Sequence, residues 1–494
     1  MNSKLKRLTK ETSIYGISMV LGRFLNFLLT PFYSNYLDKN ELSFIIYIYS
    51  AIAFINIFYS FGMESAFFRF IKNDNAEKDE KSHQSIVFSN AYISILALSI
   101  FNSVIIVAFS YYIPGFIKSY PASPELIQLI SLIPVLDALV LIPFAYLRIT
   151  NNAAKFAVLR FIAIFFNVIL NIIFLMYFKF GVWGVIYAQL ISSFVALTIL
   201  TPEIIKLLRV NIDFGLLKQM FIFGLPTLPA SFSAIILQVA DRQIMEYIST
   251  PNVLANYGVN YRLAIPMMVF VSIFEYAWKP FYLNHYKDSD AKELFSKVLT
   301  YFSLVSMILI IIWSFSLEFI VQLPFLGGKF INPNYWSGLD IVPIVMFGYY
   351  FNGVFTNLNA GFLIEKQTKY LPIAVGMGAI VNVILNLLLI PYIGIYGGAW
   401  ATFISYLLTA VIIYIFSRKV YPISYQWKSI LIMAISSMLI ILIEKLLNYY
   451  FTDLLHLFFF RLFLSFCLVV FLYFSVFKKY FDFSLFKKFL NFKR

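Results

Sequence analysis

Cysteine, histidine and charge are scarce in this chain, and each shortage excludes something. Cys467 is the sole cysteine of 494 residues, so no disulfide forms within one chain and no thiolate metal site can be built. His83, His285 and His456 are the only histidines and stand far apart, without metal-ligand spacing. No glycine-rich phosphate cradle of the P-loop kind occurs, which argues against ATP hydrolysis by this chain. Charged residues make up 13%, against about 25% in soluble domains, so water-soluble classes are excluded. Hydrophilic stretches long enough for a separate domain are missing too, and with them any large loop to hold a glycosyl-transfer or polymerase site. Asp38 and Glu41 are the nearest acids of that kind and read as a solvated turn.

What fills the chain is apolar sequence: 61% hydrophobic residues and a mean hydropathy of +0.82. Runs of about 20 residues, the length that crosses a bilayer as helix, recur along nearly all of it. We place about fourteen spans, near residues 13–36, 43–62, 84–110, 125–147, 153–178, 181–204, 216–247, 255–278, 296–320, 339–364, 370–391, 394–417, 428–448 and 455–477. The first, Ser13–Leu37, is too long for the core of a signal peptide and lacks a small-residue cleavage site, so it reads as an uncleaved span.

The positive charges fix an orientation. With the N-terminus inside, the inside segments hold 29 of the 38 Lys and Arg residues: Lys4–Lys10, Arg69–Lys81, Arg148–Arg160, Lys206–Lys218, Lys279–Lys297, Lys366–Lys369, Arg418–Lys428 and Lys478–Arg494. The outside loops hold Lys39, Lys118, Lys179, Lys329 and Lys445. By the positive-inside rule both termini are cytoplasmic. The net charge of +14 is thereby assigned to loops that meet anionic headgroups, not to nucleic acid.

An internal repeat is visible. Asn167-Val168-Ile169-Leu170-Asn171 returns as Asn382-Val383-Ile384-Leu385-Asn386. Gly181-Val182-Trp183-Gly184 then corresponds to Gly394-Ile395-Tyr396-Gly397, and Ala188 and Ser192 to Ala401 and Ser405. Spans 5–6 match spans 11–12, six spans apart and so in the same orientation. Parallel repeats about an axis along the membrane normal are a transporter architecture. The chain divides as 1–212 (spans 1–6), 213–420 (spans 7–12) and 421–494 (spans 13–14 with a basic cytoplasmic tail).

Charges inside the bilayer cost about 2.5–3.5 kcal/mol each on insertion scales and need a partner, a cavity or a role. The four basic residues within spans, Arg23, Arg242, Arg262 and Arg461, are all arginine, although arginine supplies only 11 of the 38. Its planar fork suits phosphate or carboxylate. Arg23 and Arg262 have no acid within four residues. Arg242 adjoins Asp241 and has Glu246 one helical turn on, so ion pairing competes there. Arg461, in the last pair of spans, reads as structural or interfacial. Polar stripes accompany the arginines: Gly16, Arg23, Asn26 and Thr30 in span 1; Asn56, Ser60 and Glu64 in span 2; Asn352, Thr356 and Asn359 in span 10. Such stripes face helices or a water-filled cavity, not lipid. The substrate-binding candidates are Arg23, Arg262, Arg242, Asn26, Asn352 and Asn359. The acids Asp137, Asp241, Glu275 and Glu64 can carry a coupling proton or sodium ion, or simply neutralise arginine. Pro226 and Pro229 should loosen the start of span 7.

Several segments carry a family resemblance: Phe223-Gly224-Leu225-Pro226 through Gln238-Val239-Ala240-Asp241-Arg242, Tyr257-Gly258-Val259-Asn260-Tyr261-Arg262, Ala277-Trp278-Lys279-Pro280-Phe281, and Gly16 through Arg23 and Asn26. Over nearly its whole length the chain resembles the polysaccharide transporters (O-antigen or lipid-linked oligosaccharide flippases) of the multidrug/oligosaccharidyl-lipid/polysaccharide exporter superfamily. The resemblance implies an all-α membrane protein of two six-helix lobes plus two C-terminal helices, working by alternating access around a cationic cavity. It implies that Arg23 and Arg262 contact lipid pyrophosphate. A lysine that some members carry in span 7 or 8 is not evident here. The implied function is flipping of an undecaprenyl-pyrophosphate-linked oligosaccharide, for O-antigen (lipopolysaccharide), capsule or exopolysaccharide, across a bacterial inner membrane. A peptidoglycan-precursor flippase and a cation-coupled drug exporter are the alternatives. No covalent bond changes, so no enzyme and no cofactor is expected. Expected partners are the lipid-linked glycan and membrane lipids, with a polysaccharide polymerase and chain-length machinery nearby. The functional unit is expected to be a monomer.

Overall fold

A chain in hydrocarbon must satisfy its backbone internally, so helix is the available form, and this chain is helical almost throughout. The computed structural model describes residues 16, 20, 22–25, 27–71, 80–150, 152–209, 212–326, 328–448, 454–472 and 475. Among them, eleven helices are long and apolar enough to cross a membrane, and a bent pair makes twelve. A shorter apolar helix, His456–Leu472, matches the last expected span. Residues 27–36 are helical and form the described end of span 1. Asn26 and both basic tails lie outside the described residues.

The spans run Lys39–Ser60 (2), Glu80–Ala108 (3), Pro124–Ile149 (4), Ala153–Tyr177 (5), Gly181–Leu207 (6), Phe214–Ile248 (7), Pro251–His285 (8), Ala291–Gln322 (9), Ile341–Ile364 (10), Tyr370–Ile393 (11), Ile395–Val420 (12), Trp427–Asn448 (13) and Leu454–Leu472 (14). Spans 7 and 8 are interrupted where proline dictates. Span 7 passes through a 3₁₀ turn at Leu225–Thr227, which contains Pro226 and is followed by Pro229. Span 8 bends by 43° between Leu263 and Ile265, just before Pro266, whose ring cannot continue the ladder. Span 2 ends at Ser60. Phe61 and Gly62 then adopt left-handed backbone, and a short helix, Met63–Phe70, carries Glu64. The expected Asn56–Ser60–Glu64 stripe is therefore broken: the αL pair turns Glu64 out of helical register.

The repeat is visible in atomic detail. Asn171 donates through Nδ2 to Asn167 O (2.8 Å) and Oδ1 (3.2 Å), and Asn386 does the same to Asn382 O (2.8 Å) and Oδ1 (3.0 Å). Gly181 and Gly394 open the following span of each copy with φ +55° and +53°, a region that side chains with a Cβ avoid. Spans 5 and 6 pack on each other, as do spans 11 and 12. The main apolar core runs through both halves, and a second core gathers Phe67, Phe88 and Phe156 at the basic end of the first half.

Candidate functional site

The two halves meet differently at the two ends of the molecule. At the charge-poor end they are bonded across. Asn35 Nδ2 donates to Lys329 O (2.8 Å) and Tyr36 Oη to Leu326 O (2.9 Å). Gln243 Nε2 donates to Ser50 Oγ (2.6 Å) and Tyr47 O (3.0 Å). Glu246 Oε1 accepts the backbone N–H groups of Lys118 (2.7 Å) and Ser119 (2.8 Å), while Lys118 Nζ donates to Tyr247 O (2.6 Å). Below this layer, span 8 lies so close to span 2 that a Cβ on Gly258 would overlap the Ile46 side chain.

Toward the basic end, polar side chains converge on Tyr276 of span 8. Arg23 donates to Ser272, one turn from Tyr276. Arg148, at the end of span 4, bridges Glu64 at 3.0 Å. Arg160 of span 5 sits over the Phe144 ring at 5.5 Å. Arg23, Arg148, Arg160 and Glu275 all act electrostatically on Tyr276, and all four keep exposed surface. Arg23 and Arg160 are charged, accessible and well inside helical spans, which is how a side chain lining a wet cavity behaves.

Arg262 and Arg242 lie farther from that end. Arg262 closes the first half of span 8, immediately before the bend, and covers the Tyr33 ring of span 1 at 5.6 Å. Arg242 covers the Tyr261 ring at 4.4 Å, donates to Gln238 O (2.8 Å) and has Asp241 Oδ1 at 3.9 Å. A cation over an aromatic face gains about 0.5–2 kcal/mol, more as water is excluded. Arg23 and Arg242 both act on Tyr349 of span 10, and Arg242 acts on Arg262. The guanidinium groups thus form a chain of neighbours from the basic end inward.

Arg23, Arg160 and Arg262 make no ion pair among the described residues. Asp241 is buried and accepts from Tyr257 and from the Arg242 backbone N–H (2.8 Å). The sequence pairing of Arg242 with Glu246 does not form, because Glu246 turns instead to the loop at Lys118 and Ser119. Asp137 accepts from Ser193 Oγ at 2.8 Å. Asn352 O accepts from Thr356 (3.0 Å), and the Asn359 Oδ1 is buried without a partner. Arg148 and Arg160 were counted as loop charges from sequence. The signal available was the helical run from Ala153, which carries Arg160 about two turns into the span.

In the last pair of spans, Arg461 is 4% exposed. It donates to Glu444 (2.7 Å), Glu318 (2.8 Å) and Phe315 O (2.9 Å), tying spans 9, 13 and 14 together.

A family model described as "Polysaccharide biosynthesis protein" matches residues 12–333. An uncharacterized membrane protein of Methanocaldococcus jannaschii is 24% identical over 469 residues, covering 87% of this chain and 89% of the relative. Among solved structures, the fold resembles the lipid II flippase MurJ in an inward closed conformation, with TM-score 0.69, 18% identity, and 94% and 98% of the two chains covered. It also resembles a multidrug resistance MATE family transporter of the MOP superfamily in its inward-facing conformation, with TM-score 0.63, 14% identity, and 80% and 94% covered. The outward-facing conformation of such a transporter superposes with TM-score 0.55 at 15% identity, with 85% and 98% covered.

Proposed function

Because the chain belongs to the polysaccharide biosynthesis protein family, we propose that it is a flippase for an oligosaccharide carried on a polyprenyl pyrophosphate, undecaprenyl in a bacterium. It takes the lipid-linked glycan from the cytoplasmic leaflet and releases it in the outer leaflet by alternating access. The observation that carries this reading is the set of three accessible or half-buried arginines without carboxylate partners, Arg23, Arg160 and Arg262. A pyrophosphate entering at the basic end meets Arg23, Arg148 and Arg160 first, and Arg262 with Arg242 farther in. Charge-assisted forks of this kind hold phosphate oxygens about twice as strongly as neutral donors do. Asn352 and Asn359 of span 10 supply neutral donors and acceptors for sugar hydroxyls.

The basic end faces the cytoplasm on this reading, so the described state is loaded from inside and sealed outside. Residues 1–212 and 213–420 act as the two rocking lobes, with 421–494 as an appendage. Precursors of O-antigen, capsule, exopolysaccharide and peptidoglycan share the polyprenyl pyrophosphate and differ in the sugar. A drug exporter for cations is disfavoured, because such cargo would meet unpaired arginine. The test is glycan export in cells that depend on this protein. An Arg23→Ala/Arg262→Ala double variant at normal abundance should export none, and normal export would reject the anion site.

A further inference from the structure

The acids within the spans are not equivalent, and the structure separates them. Asp241 is committed to Tyr257 and Arg242, Glu246 to the Lys118–Ser119 backbone, Glu64 to Arg148, and Glu318 and Glu444 to Arg461. Glu275 stands exposed at the basic end. Asp137 of span 4 differs from all of these. It is half-buried, it has no ion pair among the described residues, and its one hydrogen bond there comes from a neutral hydroxyl, Ser193 Oγ at 2.8 Å.

That hydroxyl ends a continuous polar chain through the first half of the protein. Tyr33 Oη donates to Asn171 Oδ1 (3.0 Å), and Asn171 Nδ2 to Asn167 Oδ1 (3.2 Å). Asn167 Nδ2 donates to Gln189 Oε1 (2.9 Å), and Gln189 Nε2 to Ser193 Oγ (3.2 Å). The far end, Tyr33, carries Arg262 over its ring. The second half repeats the Asn382/Asn386 pair, but there Asn382 Nδ2 and Asn386 Oδ1 are left without partners. The chain is thus a property of the first half alone. The charged and titratable groups facing Asp137 are Arg160 from span 5 and Tyr49 from span 2. Tyr49 is in turn a neighbour of Tyr33 and Arg262, and Glu64 and Arg148 lie beyond Arg160.

We propose that Asp137 is a proton-binding site that sets the net charge of the arginine cavity. Ionised, it offsets Arg160. Protonated, by a proton taken from cavity water and returned to it, the carboxyl no longer offsets Arg160, and a bound anion meets one more uncompensated positive charge. Coupling of this kind is reciprocal: a bound pyrophosphate raises the affinity of Asp137 for its proton by the factor that the proton raises affinity for the pyrophosphate. The anion part rests on the flippase reading; the proton site does not.

Two measurements on the purified full chain in nanodiscs, in sodium-free buffer, separate the two. An acid-minus-neutral infrared difference spectrum should show a carboxylic-acid C=O band that Asp137→Asn removes and Asp137→Glu keeps, shifted. Farnesyl pyrophosphate affinity should weaken about tenfold for the wild type between about pH 5 and about pH 8, and Asp137→Glu should behave alike. Asp137→Asn should bind tightly throughout, apart from the titration of the ligand itself. A band that survives in Asp137→Asn, a wild-type band that responds to sodium in place of acid, or identical pH profiles for wild type and Asp137→Asn would overturn the proposal. Absence of binding at every pH, with the band behaving as stated, would overturn the flippase reading and leave the proton site standing.

Discussion

Arg262 closes a helix half against the Tyr33 ring, with no carboxylate partner among the described residues. Two substitutions separate its possible roles. Arg262→Ala removes both charge and fork, whereas Arg262→Lys keeps a point charge. We expect the alanine variant to lose glycan export at normal abundance and the lysine variant to recover part of it, with export and protein level measured on the same cells. Low abundance with normal export per molecule would instead assign Arg262 to structure, because the Tyr33 ring and the helix end at the bend would lose the side chain that packs on them. The repeat glycines make a second residue-scale case. Gly394→Ala, at φ +53°, should lower stability by about 1–2 kcal/mol. Gly115→Ala, with ordinary backbone and open space around it, should be neutral in the same thermal unfolding assay. Arg23, Arg242 and Arg262 could be read from sequence because charge in an apolar run is conspicuous. Arg160 carried a signal too, seven residues into the helical run from Ala153, but its nearness to the loop charges Arg148 and Lys155 grouped it with them.

The charge-poor end is held by Glu246 of span 7, buried and accepting two backbone N–H groups from the loop after span 3. A carboxylate accepts such bonds more strongly than an amide does. Glu246→Gln should therefore shift the population toward a state open at that end. A cysteine at Thr30, with Cys467 replaced, reports it: impermeant maleimide added at that end should label the Gln variant faster than its parent, and equal labelling would remove Glu246 from the gate. Spans 13 and 14 depend on Arg461 in the same way. Arg461→Ala leaves Glu444 and Glu318 without their shared cation and should cost about 3–5 kcal/mol, seen as a lower unfolding temperature. Sequence leaves Arg461 structural or interfacial, because it lies in the appended pair beyond the repeat; its burial among Glu444 and Glu318 decides for the first. Sequence alone linked Glu246 to Arg242, because helical spacing is local, whereas the Lys118–Ser119 loop arrives from another part of the chain. The bend in span 8 had its signal in Pro266. The break in span 2 had only Gly62, which is compatible with an unbroken helix.

At the scale of the whole molecule, the helical spans and the two-lobe repeat were readable because each follows from a pattern spread over many residues: apolar length, and the Asn and Gly positions shared by spans 5–6 and 11–12. The arginine cluster was readable only in part, since Arg23, Arg148, Arg160 and Tyr276 come from spans 1, 4, 5 and 8, and no local pattern says which helices become neighbours. Orientation has a direct check. Cysteines replacing Lys81 and Lys292 should react with impermeant reagents from the cytoplasmic side alone, and labelling of either from outside would invert every loop. The central claim, that unpaired arginines carry a lipid pyrophosphate across the bilayer, is tested most directly by translocation in proteoliposomes of the purified chain. A fluorescent oligosaccharide on a polyprenyl pyrophosphate should become accessible to a membrane-impermeant quencher in the far leaflet, and Arg23→Ala/Arg262→Ala should stop this. Equal translocation by the double variant, or movement of a cationic dye in place of the glycolipid, would contradict the account.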